Sequence, residues 1–231
     1  MHFDLEWKKM KRTGLWPAFA GGSILAALIP MVNMAARSDS FVEMEGSPLQ
    51  ILLGANWQIM AMLNILLVVA GACILYHTEY AEHAIQKMYT LPMKDSTLFF
   101  EKFLLLVIMC AGMLAIEAVG LAFCAFHWFT PEDGFLLELF GNIAYSLLLL
   151  IPAVLAALLI AALCKNMWIS LGIGVVAILL ATMIPTGTSL LSLFPFVMHL
   201  HMTAGITECI IESLILALAA IPILKVRRTL A

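Results

Sequence analysis

The stretch KKMKRTGLWPAFAGGSILAALIPMVNMAAR, residues 8–37, decides the fold. It opens on Lys8, Lys9, Lys11 and Arg12, runs without charge from Leu15 to Ala36, and closes on Arg37. A helix needs roughly 20 apolar residues to cross the hydrocarbon core of a bilayer. Basic side chains gather on the cytoplasmic side because translocating them during insertion is costly. The stretch therefore reads as a membrane span that starts inside and ends outside. The block is too long for a signal-peptide core, and Met34-Ala35-Ala36 is a poor cleavage site, so the span is expected to be retained.

The same alternation continues along the chain. Further apolar blocks lie at Ala55–Tyr76, Phe103–Phe126, Leu139–Cys164, Met167–Ile184 and Ile206–Leu224. Lys87, Lys94 and Lys102 separate the second block from the third, Lys165 the fourth from the fifth, and Lys225, Arg227 and Arg228 follow the sixth. Of twelve basic residues, Arg37 alone sits in the other set of gaps. The expectation is an all-α membrane protein of six spans with both termini in the cytoplasm. Composition agrees, since 63% hydrophobic and 12% charged residues would leave a soluble domain without a polar surface.

Before the first span, Phe3, Trp7 and Met10 fall at helical spacing with charged residues on the other faces. Residues 1–14 are expected to form a helix lying in the inner interface, held by Trp7 and by basic contacts to anionic lipid. Residues 15–231 form the spanning domain. Within it, the polar stretch 77–102 is an unusually long inner connection. The segment 185–205 holds no Asp, Glu, Lys or Arg and carries the apolar run Leu190–Met198. That run is too short to cross, so the segment is either re-entrant, interfacial, or folded over the span ends. Ala153, Ala157 and Ala161 form a small-residue stripe, and Gly172 and Gly174 thin the fifth span, as close helix packing in lipid requires. The five cysteines show no metal or disulfide spacing and read as small buried hydrophobes.

The chain has no GxxxxGK[ST] loop, HExxH or GxSxG, so it carries no ATPase, metalloprotease or serine-hydrolase signature of its own. His199 and His201, whose spacing to Glu208 could suggest metal ligands, are read as interfacial side chains rather than a metal site. The informative chemistry is acidic. Glu212 precedes Lys225 by thirteen residues, which places it about 20 Å from the inner boundary. A span starting after it would cover only about 18 Å of a core about 30 Å thick. Glu208 lies one turn above on the same face. Glu117, fifteen residues from Lys102, and Asn64, twelve from Tyr76, fall at a similar depth.

Carboxylates at that depth must be protonated, paired or facing water. Two readings stand side by side: neutral Glu bonded to a neighbouring helix, or ionised Glu lining a water-filled outer cavity. The outer side counts nine acids, including Asp39, Glu43, Glu45, Glu132, Asp133 and Glu138, against Arg37. That gives −8 outside and +5 inside within a net charge of −3. A negative vestibule would attract cations. Asn64, Glu117, Glu208 and Glu212 are thus the transport-pathway candidates.

The opening Glu6-Trp-Lys-Lys-Met-Lys-Arg-Thr, the six-span hydropathy, and the order Glu82, Leu91-Pro92, Lys102 after span two carry a resemblance. The chain resembles permease subunits of type-2 ABC exporters, in particular bacteriocin- and lantibiotic-immunity permeases. The resemblance implies a pair of permeases, the same or homologous, docked on two cytoplasmic ATPase subunits in a bacterial plasma membrane. It implies ATP and Mg on those partners and no cofactor, metal or nucleic acid on this chain. It implies a coupling helix over Glu79–Thr90, with Ile85, Met88 and Tyr89 as apolar contacts and Glu79, Glu82, Gln86 and Lys87 around them. Pro92 would end that helix, since proline lacks the amide donor. The implied function is export of an amphipathic, cationic peptide in antimicrobial self-protection. The residues alone also admit a proton-coupled transporter or intramembrane enzyme using the same glutamates, and a sensor or scaffold.

Overall fold

The computed structural model describes residues 7, 10–11, 13–81, 95–131, 134–164, 166–184, 193–197 and 202–230. At 79–81, 95, 202–204 and 225–230 it describes the backbone alone. Among the described residues six helices follow one another: α1 Leu15–Val42, α2 Pro48–Ala81, α3 Asp95–Trp128, α4 Phe135–Leu163, α5 Met167–Met183 and α6 Met202–Leu230. No strand occurs among the described residues. Five of the helices are long and apolar enough to cross a membrane, and α5, with 17 residues, is the shorter apolar one. The sixfold division of the chain holds, with five full-length candidate spans rather than six.

Most helices overrun their apolar blocks. α2 continues past Tyr76 to Ala81, and α3 begins at Asp95 rather than Phe103. Hydropathy marks only the part of a helix that lies in hydrocarbon, whereas backbone hydrogen bonding carries the helix on into polar surroundings. The expected connection 77–102 is thus helical at 77–81 and 95–102, and 82–94 lie outside the described residues. α1 runs beyond Ala36 to Val42, yet Arg37 takes a non-helical conformation (φ −142, ψ 35). The expected end is therefore a kink. At the start of α2, Ser47 Oγ accepts the Gln50 amide at 3.3 Å ahead of Pro48, the cap chemistry that favours a helix N-terminus. Asn166 caps α5 by accepting the Trp168 amide at 2.9 Å.

Lipid offers helices little hydrophobic gain from meeting, so close packing decides the arrangement. Gly22 of α1 lies against Leu67 of α2, and Gly71 of α2 against Phe19, a register of two antiparallel helices. Gly120 of α3 approaches the backbone of Ala27, where an added Cβ would stand 2.9 Å from its carbonyl oxygen. Gly174 packs on Val69, and one turn away Cys73 Sγ donates to Ser170 Oγ at 3.3 Å, which sets α5 antiparallel to α2. Gly172 faces open space. Ala153, Ala157 and Ala161 are all buried in α4. α4 is the most enclosed helix, with 72% of its most apolar window buried, and α6 the least, with 17%.

Two large apolar clusters divide the bundle along its length, and a small third one joins Tyr145 and Leu149 of α4 to Cys209 of α6. One apolar cluster takes Ile65–Tyr76 positions of α2 and Phe99–Leu114 positions of α3, together with α4 and parts of α1, α5 and α6. The second takes Leu49–Met60 positions of α2 and Ala118–Ala125 positions of α3, with Met34 and Phe41 of α1 and Phe135 and Leu139 of α4. Asn64 and Glu117 fall in the gap between the two clusters.

Candidate functional site

Asn64 and Glu117 reach each other across that gap. Each is 4% exposed, and Asn64 Nδ2 donates to Glu117 Oε2 at 3.1 Å. Counting from Tyr76 along α2 and from Lys102 along α3 places the two at a similar depth. The two starting points are themselves neighbours, with Lys102 Nζ 5.6 Å from the centre of the Tyr76 ring. Twelve residues along α2 and fifteen along α3, about 18 and 22 Å of rise, bring the amide and the carboxyl to a similar level of two antiparallel helices.

The pair borders a cavity of about 20 Å³ between α2, α3 and α4. Trp57, Asn64, Glu117, Asn142 and Ser146 supply its polar wall, and apolar side chains such as Met60 and Leu114 the rest. Three buried atoms there have no protein hydrogen-bond partner: Trp57 Nε1, Asn64 Oδ1 and Glu117 Oε1. Such atoms are few in folded proteins, and each carries the cost of lost hydration.

The other two pathway candidates stand apart. Glu212 is 6% exposed and Glu208 half-buried, one turn apart on α6. Between them Cys209 donates to the Leu148 carbonyl of α4 at 2.8 Å and packs with Tyr145 and Leu149. Neither glutamate lines the cavity beside Asn64. The four polar groups of one expected layer thus split into an α2–α3 pair and an α6 pair, with α4 packed against both.

A larger cleft, about 540 Å³, opens at the end where α1 passes to α2 and α3 to α4. Val42, Met44, Ser47, Phe129, Phe135 and Glu138 line it. Ser47 Oγ donates to Glu138 Oε1 at 2.9 Å, which fixes the carboxylate at the wall. Its volume falls in the range of clefts that hold small molecules. Glu43 and Glu45 are exposed in the adjoining connection.

Glu79 lies in the last turn of α2. The other coupling-helix positions, Glu82, Ile85, Gln86, Lys87, Met88, Tyr89 and Pro92, lie outside the described residues, as do most of 1–14, much of 185–205, His199, His201, Glu132 and Asp133. Among the described residues no three His, Cys, Asp or Glu side chains gather as metal ligands would. All five cysteines are free, with Cys164 half-buried and the others buried.

Several polar residues of the bundle carry no sequence signal. Asn33 Nδ2 donates to Asn56 Oδ1 at 2.9 Å, tying α1 to α2. Asn56 in turn donates to the Leu52 carbonyl at 2.8 Å. Trp57, Asn142 and Ser146 join the cavity from positions that spacing does not mark. Lys102, counted as a boundary charge, is 1% exposed.

The family model described as ABC-2 family transporter protein matches residues 3–181. No curated protein and no solved structure matches the chain.

Proposed function

The chain belongs to the ABC-2 family of transporter proteins, a membrane-spanning permease subunit of an ABC transporter, and we propose that its cargo is an amphipathic, cationic peptide. ATP hydrolysis falls to a separate ABC ATPase subunit. Expulsion of the peptide protects the cell that makes or meets it, as in the lantibiotic-immunity permeases the sequence resembles.

What supports the cargo class is the charge of the connections expected outside, six acids against Arg37, together with the cleft that Glu138 lines among those connections. Such a surface concentrates cations and repels anions. The aromatic and aliphatic wall of the cleft suits the apolar face of an amphipathic peptide. Glu117, Glu208 and Glu212 are assigned to the pathway that the cargo follows. The assignment also takes both termini as cytoplasmic, a second permease of the same or homologous sequence, Mg-ATP on the ATPase, and Glu79–Thr90 with Pro92 as the docking element. The host is a bacterial plasma membrane.

The test is peptide resistance in cells carrying the permease with its ATPase. Glu117→Gln, Glu208→Gln and Glu212→Gln together should lower resistance to a cationic lantibiotic while the complex still assembles. Unchanged resistance would remove these residues from the pathway. Met88→Asp with Tyr89→Asp should abolish co-purification of the ATPase, and a surviving complex would refute the docking element.

A proton-coupled transporter is the second reading, favoured by the buried Glu117 carboxyl beside a polar cavity. Proteoliposomes separate the two, because uptake into them would follow a proton gradient without ATP only in the second case.

A further inference from the structure

We propose that the cleft between the α1–α2 and α3–α4 connections is a binding site for a primary ammonium group on a short apolar chain, with Glu138 as its anionic partner. That the natural ligand is a lysine side chain or amino terminus of the cargo rests on the proposed function, whereas the site itself rests on the cleft.

The cleft is built before any ligand arrives. Gly46 (φ +140) and Gly134 (φ +112) line it, one in each connection, in backbone conformations that other residues rarely adopt. Ser47 follows the first glycine, and its hydroxyl both accepts the Gln50 amide and donates to Glu138 Oε1. One hydroxyl thus ties the carboxylate of α4 to the start of α2. Glu138 stands in the first turn of α4, where a helix N-terminus favours a negative side chain.

The chemistry of the wall selects the ligand. Glu138 is the one charged side chain among the described lining residues, so an anion finds no partner there. Its Oε1 is taken by Ser47, while Oε2 has no partner among the described residues and is not enclosed. A single open oxygen suits the compact point charge of an ammonium. A guanidinium fork needs both carboxylate oxygens to pair in full. A quaternary ammonium has no N–H to give, and a divalent metal ion needs several oxygen ligands, whereas no such cluster gathers among the described residues. The cleft, about 540 Å³, is far larger than an ammonium alone. Buried Ile51 and Phe135 and exposed Val42 and Met44 bound the rest of it, a surface for the alkyl chain.

Saturation-transfer difference NMR with n-pentylammonium tests the site on the full-length permease with its ATPase, in nanodiscs of zwitterionic lipid. Empty nanodiscs give the baseline for partition into lipid. Pentylammonium should bind saturably, and 1-pentanol about tenfold more weakly for want of a charge-assisted hydrogen bond. Glu138→Gln should bring pentylammonium down to the affinity of the alcohol. Met44→Lys, at an exposed rim position, should also weaken binding by setting a rival ammonium in the cleft, and it decides the matter should Glu138→Gln not fold. Equal affinity for ammonium and alcohol, or full affinity in either folded variant, would overturn the proposal. Tighter binding of n-pentylguanidinium or n-pentyltrimethylammonium would overturn the choice of a primary ammonium. A cationic lantibiotic that fails to displace bound pentylammonium would refute the cargo as the natural ligand while the site stands.

Discussion

Two polar residues set between two apolar clusters make Asn64 and Glu117 answerable to each other. Replacing Asn64 by Leu leaves both Glu117 oxygens without a protein partner, a loss of about 1–3 kcal/mol for a buried polar group. The thermal midpoint of Asn64→Leu should fall, and adding Glu117→Met should recover part of the loss, since removing both partners costs less than orphaning one. A double variant less stable than Asn64→Leu would mean that the pair is not coupled. Lys102 and Tyr76 make a similar case at the other level. Tyr76→Leu, which removes the ring beneath a buried ammonium, should lower the midpoint more than Tyr76→Phe, by about 1–2 kcal/mol. That Asn64 and Glu117 fall at a similar level was legible in the sequence because rise per residue is fixed and both helices could be counted from neighbouring points. The direction a side chain faces around its helix axis was not. Trp57, Asn142 and Ser146 join the cavity through that azimuth, which residue spacing on a nearly uniformly apolar helix does not define. Lys102 misled for a related reason, because a lysine at a span boundary reads as solvated whether or not a second helix covers it.

Helix against helix, the contacts that matter are made by the smallest residues. An added side chain at Gly120 meets the backbone of Ala27, which cannot turn aside as a rotamer can. Gly120→Val should force α1 and α3 apart and lower stability by about 1–3 kcal/mol, the usual cost of overpacking. Gly112, on the same helix, faces open space, so Gly112→Ala should leave the thermal midpoint unchanged or raise it. Equal effects at the two positions would show that α1–α3 contact does not limit stability. The helices themselves were the most legible part of the chain, since apolar length has one solution in a bilayer. Their ends were less so: Ser47, Gly134 and Arg37 set caps and a kink by backbone geometry that hydropathy does not register.

Across the whole molecule, charge and enclosure divide along different lines. Eleven of the twelve bases fall in one set of gaps and leave the six acids of the other nearly unbalanced, so on the proposed function association of a cationic peptide should be steered by a field that salt screens. Screening length falls from about 30 Å at 0.01 M salt to about 8 Å at 0.15 M. The association rate measured by stopped flow should drop over that range for the cationic peptide and stay flat for a neutral analogue, with Glu138→Gln reducing the slope. No salt dependence would remove steering from the proposed function. Enclosure, by contrast, is graded from α4 at the centre to helices that meet lipid along most of their length. Among the latter, α5 has only 17 residues, about 25 Å of rise beside hydrocarbon about 30 Å thick. Its flank bears Ile169, Ile173, Val176, Leu179 and Leu180 exposed to the outside, with Trp168 exposed at one end. If α5 crosses the bilayer, local thinning is one way to keep those residues covered, at a cost of a fraction of a kcal/mol for each ångström of mismatch. Short-chain lipids relieve that cost and long-chain lipids raise it. With α5 as a span, acyl-chain length acts on this protein as a mechanical variable, setting how deeply the membrane is pinched along one side of the bundle.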